Sequence, residues 1–245
     1  LRDVELAAFP EMKNVPVVIL PHLTKICSFS HSPRNTVKGG EALLRIAFAG
    51  TLRKKRVQGV FADALHEFVR KSPQLAETLQ ITFHLARPNP HAEAFIRSLP
   101  IHTKITLGCF DDHLDQELVN AHVLMDIEAE EDKPLSLTKV VNYLGYQKPI
   151  WAICMPNGTT WELVTKHNLG YYSPLWDCEA ILSSLFEICQ DWRRGRFSEK
   201  CPSAEVLERF GPKAQIEDLL ALTMNVGSKS KTSVPVREIP IKDWP

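Results

Sequence analysis

Two hydrophobic periods take turns along this chain. "LRIAFAG" (44–50) is a compact apolar run that closes on Gly50, which predicts a buried strand. "QGVFADALHEFVRKS" (58–72) then sets Val60, Phe61, Ala64, Leu65 and Phe68 on one stripe, which predicts a helix. The exchange repeats. Strands are predicted at 79–86, 103–108, 123–127, 149–154 and 170–174, and helices at 91–99, 112–122, 137–147, 159–168 and 178–195. Such alternation implies a parallel sheet covered on both faces, an α/β, doubly wound, Rossmann-like domain over about 43–196. C-terminal helices follow in 197–225.

The flanks read differently. Residues 1–42 are weakly patterned: a short apolar run, "VPVVIL" (15–20), lies between prolines and leads into a Ser-, Pro- and Gly-containing linker. Residues 226–245 are rich in Ser, Lys and Pro and read as an extended tail. The chain carries no net charge, so nothing global points to nucleic acid, and any phosphate site must be local. Its six cysteines include no Cys-x-x-Cys pair, which argues against a zinc ribbon and for buried free thiols in a reducing, cytoplasmic setting. No apolar run is long enough to span a membrane.

Open parallel sheets bind ligands beyond the carboxyl ends of their strands, so the strand-to-helix loops are where chemistry is expected. In "GTLRKKRVQG" (50–59), Gly50 permits a close turn, and Arg53, Lys54, Lys55 and Arg56 place cations just before a helix. A diphosphate would be held there by a helix N-terminus and an arginine fork; a solvated basic loop is the plain alternative. The loop carries neither G-x-G-x-x-G nor a P-loop. In "GCFDDHL" (108–114), Gly108 allows close approach and Phe110 could pack against a base. In "IEAEEDKPLSLTK" (127–139), the run Glu128, Glu130, Glu131 and Asp132 reads as a solvated face rather than a metal site. Ser136 can cap the next helix, and Thr138 and Lys139 fall in its first turn. A lysine there is unexpected, because a helix N-terminus favours carboxylates, so it implies an anion.

In combination these segments resemble the C-terminal, nucleotide-sugar-binding domain of GT-B glycosyltransferases, family 4 in particular. The resemblance rests on Gly50 with its basic loop, on the Gly108–Phe110 turn, and on "PLSLTKVVNYLGYQKPIWA" (134–152). That last segment matches the family's P-x-S-K-x-x-E-Y-L-A-x-G-K-P-V-V pattern at Lys139, Tyr143, Leu144, Lys148 and Pro149. It implies transfer of a sugar from a nucleoside-diphosphate sugar to an unidentified acceptor, without an essential metal or resident cofactor. Arg53, Lys55, Arg56 and Lys139 would carry the charge of the leaving diphosphate. Gly50, Gly108, Phe110, Ser136, Thr138 and Asn142 would line the donor site.

The family's ribose-binding glutamate falls at Asn142, and its earlier acidic residue falls at Pro134. A neutral Asn accepts a weaker hydrogen bond than a carboxylate. The resemblance further implies a fragment of a longer enzyme, or a half-enzyme completed by an N-terminal domain or partner chain. It also leaves open a peripheral contact of the basic loop with the inner face of a membrane. Two other readings stand beside it: a non-catalytic Rossmann-like binding or assembly module with a lapsed donor site, and an unrelated α/β enzyme such as a nucleotide-sugar epimerase. The sequence offers no set of catalytic residues for the epimerase.

Overall fold

The computed structural model describes residues 43–52, 59–108, 112–128 and 137–227. Six strands and nine α-helices are described. They run in order as β1 (Leu44–Gly50), α1 (Gly59–Lys71), α2 (Pro73–Glu77), β2 (Leu79–Leu85), α3 (Pro90–Arg97), β3 (His102–Leu107), α4 (Asp112–Asn120) and β4 (Val123–Ile127). They continue as α5 (Leu137–Leu144), β5 (Ile150–Cys154), α6 (Thr159–Lys166), β6 (Gly170–Pro174), α7 (Cys178–Arg194), α8 (Ala204–Arg209) and α9 (Pro212–Gly227). A 3₁₀ turn at Phe197–Lys200 joins α7 to α8. The α/β expectation holds throughout. The one α-helix it lacked, α2, is five residues long. That is too short to show a period, and it is started by Pro73, whose fixed φ suits a first helical turn.

All strand pairs are parallel, in the order β3-β2-β1-β4-β5-β6. Burial follows that order. The inner strands β4 and β5 are buried at every residue, whereas the edge strand β3 exposes His102, Lys104 and Leu107. One face of the sheet carries the bulk, with Phe48, Phe83 and Trp151 packed against Phe61 and Phe68 of α1 and Ile181 and Leu185 of α7. Burying each such side chain contributes about 1.5–3 kcal/mol, so this face fixes the scaffold. The other face presents Ala47, Ala49, Leu124, Ile150, Ala152 and Cys154 beneath α4, α5, α6 and α8.

Candidate functional site

The strand order reverses between β1 and β4, and the ladder is shortest there. β1 pairs with β2 as far as Gly50–Leu85, and β4 pairs with β5 as far as Ile127–Ile153. β1 and β4 pair only from Ile46–Val123 to Phe48–Met125. Beyond Phe48 the two strands part, and the amide of Ala49 loses its strand partner. A buried tyrosine of α5 fills the split. The Tyr143 hydroxyl accepts the Ala49 N–H at 3.0 Å and donates to the Met125 carbonyl at 3.3 Å. Burial, with the Asp126 charge a smaller cause, pushes its pKa far above the ordinary tyrosine value. It is therefore a neutral bridge between the two strands.

Lys139 lies one helical turn before Tyr143, so it shares its face of α5 and stands at the mouth of the same split. Its ammonium is 2.6 Å from Asp126 Oδ1 and 4.5 Å from the centre of the Phe48 ring. The lysine side chain is 22% exposed and that of Asp126 only 1%, so the pair joins a buried anion to a cation that still reaches water. Gly50 closes the third side. Its φ of +136° suits glycine, and a Cβ there would stand 3.2 Å from Lys139 Cε and 3.5 Å from Nζ. The lysine that looked misplaced at a helix start thus has an internal counter-ion. It comes from the sheet, from a residue inside the predicted strand "VLMDI".

Two residues beyond Asp126, one past the end of β4, sits Glu128. It is buried, and this corrects the expectation that it belongs to a solvated acidic face. Its position explains the burial. Its amide donates to Ile153 O at 2.9 Å, which carries the β4–β5 ladder one step past the strand. Its carboxylate accepts the Thr160 hydroxyl and, at 3.3 Å, the Met155 amide. Glu128 therefore ties β4 to the start of α6. The thiol of Cys154, on β5, is pushed well above the ordinary cysteine range by burial first and by Glu128 and Asp126 after it.

Of the residues singled out in the sequence, the structure brings Gly50 and Lys139 together. Gly108 ends β3 at the far edge of the sheet, two strands from β1. Its amide donates to Leu85 O at 3.2 Å, and its carbonyl lies 3.3 Å from His84 Nε2. Thr138 is in the first turn of α5, and Asn142 is exposed on the same helix. Arg53, Lys55, Arg56, Phe110 and Ser136 lie outside the described residues, as do Glu130, Glu131 and Asp132. Asp126 was not anticipated. Its signal was available, since an acid within a fully buried five-residue strand requires a partner. Among the described residues, no group of three or more His, Cys, Asp and Glu could hold a metal ion. No helix among them is long and apolar enough to cross a membrane.

No family model matches the chain, and no curated protein matches it in sequence. Its fold recurs in solved GT-B glycosyltransferase structures. One is a mutant of TarM from S. aureus in complex with fondaparinux, alpha-GlcNAc-glycerol and UDP. It is 10% identical with a TM-score of 0.58, over 90% of this chain and 42% of that one. A UDP-forming α,α-trehalose-phosphate synthase from Burkholderia xenovorans is 10% identical, with a TM-score of 0.54 over 81% of this chain and 48% of that one. The α,α-trehalose 6-phosphate synthase from Burkholderia multivorans is 8% identical, with a TM-score of 0.53 over 78% and 45%. The chain spans less than half the length of each of these proteins.

Proposed function

We propose that this chain is the donor-binding half of a glycosyltransferase, and that the split between β1 and β4 receives the diphosphate of a nucleoside-diphosphate sugar. The observation that carries the proposal is the position of Lys139. Its ammonium stands at the switch point of a doubly wound sheet, against the Gly50 turn, with part of its surface open to water. Ligands of such sheets bind at the switch point. The fold supports the same reading: one structure that shares it was solved with UDP, and another is named as UDP-forming.

In the proposed reaction, the bond from the anomeric carbon to the diphosphate breaks and negative charge grows on the leaving phosphate. Lys139 meets that charge from α5. Arg53, Lys55 and Arg56 follow Gly50 in sequence and meet it from the loop after β1. A cation that gains interaction as the charge develops stabilises the transition state more than the ground state. This is leaving-group stabilisation by side chains, and it requires no metal. Asn142, three residues after Lys139 on the exposed side of α5, is the proposed partner of the ribose hydroxyls. An acceptor-bearing domain, in the same protein or a partner chain, completes the site.

Calorimetric titration of the chain with UDP and GDP, with and without EDTA, tests this reading beside Lys139→Ala. The expected result is binding that survives EDTA and is lost in the variant. Binding that the variant retains would remove the diphosphate from this split. One observation favours a second reading, a binding module whose donor site has lapsed. The ammonium of Lys139 is already neutralised by Asp126 at 2.6 Å. Absence of any nucleotide binding by the intact chain would favour that module.

A further inference from the structure

We infer that Asp126 is an internal competitor for the ligand of this split, an anion within the protein that an incoming phosphate must displace from Lys139 and that sets the affinity of the site. The inference rests on reading the split as a phosphate site. It deepens that reading by assigning a role to a residue outside the proposed donor-binding set.

Three observations converge on it. First, the ammonium that would greet the ligand already touches a carboxylate oxygen, Oδ1, at 2.6 Å. Second, that carboxylate is poorly compensated. Asp126 is fully buried, and its other oxygen, Oδ2, has no hydrogen-bond partner among the described residues although it too is buried. A buried carboxylate with one oxygen unmatched retains a strong field, because little solvent screens it. Third, the ammonium is held just beside the Gly50 turn, 3.5 Å from where a Cβ would be. A phosphate that enters over Gly50 therefore meets the lysine and the aspartate together. Lys139 and Asp126 sum to no charge, and an anion gains little from a neutral pair until the pair opens.

Glu128 sharpens the assignment. It is equally buried, but its carboxylate oxygens accept the Thr160 hydroxyl of α6 and the Met155 amide of the connection before it, so it is committed to that corner. Asp126 alone of the two acids engages the group that faces the ligand. If its task were to aim Lys139 at the phosphate, its loss would weaken binding. If it competes for the ammonium, its loss strengthens binding. The sign of one measurement separates the two.

The experiment compares inorganic pyrophosphate and UDP as titrants of the 245-residue chain and of its Asp126→Asn variant, at constant ionic strength. Asparagine keeps the shape and one acceptor oxygen while removing the charge. The expected result is pyrophosphate affinity raised about tenfold in the variant, the scale of one unit charge a few ångströms away in a partly screened site. Unchanged or weakened affinity overturns the inference. A second readout needs no variant. In wild-type protein, the Asp126 side-chain carbonyl ¹³C resonance is expected to shift on adding pyrophosphate and to stay put in sodium chloride of equal ionic strength. A resonance indifferent to pyrophosphate overturns the inference even if Asp126→Asn fails to fold. The two readings fail separately. Tighter pyrophosphate binding in the variant, with no UDP binding by either form, keeps the competitor and removes the nucleotide. UDP binding that Asp126→Asn leaves unaltered keeps the nucleotide and removes the competitor. A protein that binds neither titrant, in either form, removes both.

Discussion

Asp126 and Glu128 stand two residues apart on one strand end, both buried, and the molecule treats them oppositely. The corner between β4 and α6 matches Glu128 with two neutral donors, the Thr160 hydroxyl of α6 and the Met155 amide just after β5. The split between β1 and β4 gives Asp126 one ammonium and leaves its second oxygen unmatched among the described residues. A carboxylate satisfied by fixed dipoles is part of the scaffold. A carboxylate paired to a half-free cation and otherwise unmatched holds a group that can be taken away. The largest expected effect tests the first half of that contrast. Glu128→Ala strands the Thr160 hydroxyl and the Met155 amide, and is expected to lower unfolding free energy by about 3 kcal/mol. Urea denaturation measures the loss, while pyrophosphate affinity changes less than about twofold by the same contrast. A variant as stable as wild type would show that the corner is not structural.

Gly50→Ala acts on the other region and is expected to be next in size. The residue would have to hold φ near +136°, a conformation that a side chain strains by about 1–3 kcal/mol. Its Cβ would also press on Lys139 Cε at 3.2 Å. The far end of a lysine can yield, so the packing part of the effect is small and the backbone part dominates. Lower stability together with weaker pyrophosphate binding is expected. Lower stability with unaltered binding would detach the Gly50 turn from the phosphate path.

The same contrast explains what was legible in the sequence. Strands β1 and β4 were bounded to the residue, because a buried parallel strand is an apolar run between turns and the run is visible without its neighbours. Lys139 and Tyr143 were legible as a matched pattern at one-turn spacing, but their tasks were not. The task of Tyr143 depends on where the β1–β4 ladder stops, and no local period encodes that point. Glu128 was misread because charge runs are normally solvated, and the first member of this one lies where the β4–β5 ladder still continues. Asp126 went unnoticed because its partner is thirteen residues away across a strand-to-helix connection.

Tyr143→Phe probes the split without touching any charge. It leaves the Ala49 amide without the hydroxyl it bonds at 3.0 Å, where burial excludes easy replacement by water. An unsatisfied buried amide implies a loss of about 1–2 kcal/mol, read as a shift of the denaturation midpoint. Hydrogen exchange localises it. The Ala49 amide is expected to exchange faster in the variant while that of Ala47, inside the paired stretch, does not. Equal protection at both positions would mean that the strands do not need the tyrosine to stay apart.

The smallest stability effect is expected at Asp126→Asn, and it bears most directly on the comparison. Removing one member of a buried ion pair usually destabilises strongly, because the other charge is left without compensation. Here the other member is 22% exposed, so Lys139 can turn its ammonium to water. It can also keep a contact with the asparagine oxygen. The aspartate's own burial is unfavourable, with one oxygen unmatched, and the neutral amide relieves that desolvation. The two terms oppose, so the unfolding free energy is expected to change by about 1 kcal/mol or less. A loss as large as that of Glu128→Ala would make both acids scaffold and end the distinction. A near-neutral result would identify Asp126 as a charge the fold can do without, kept where it controls the lysine.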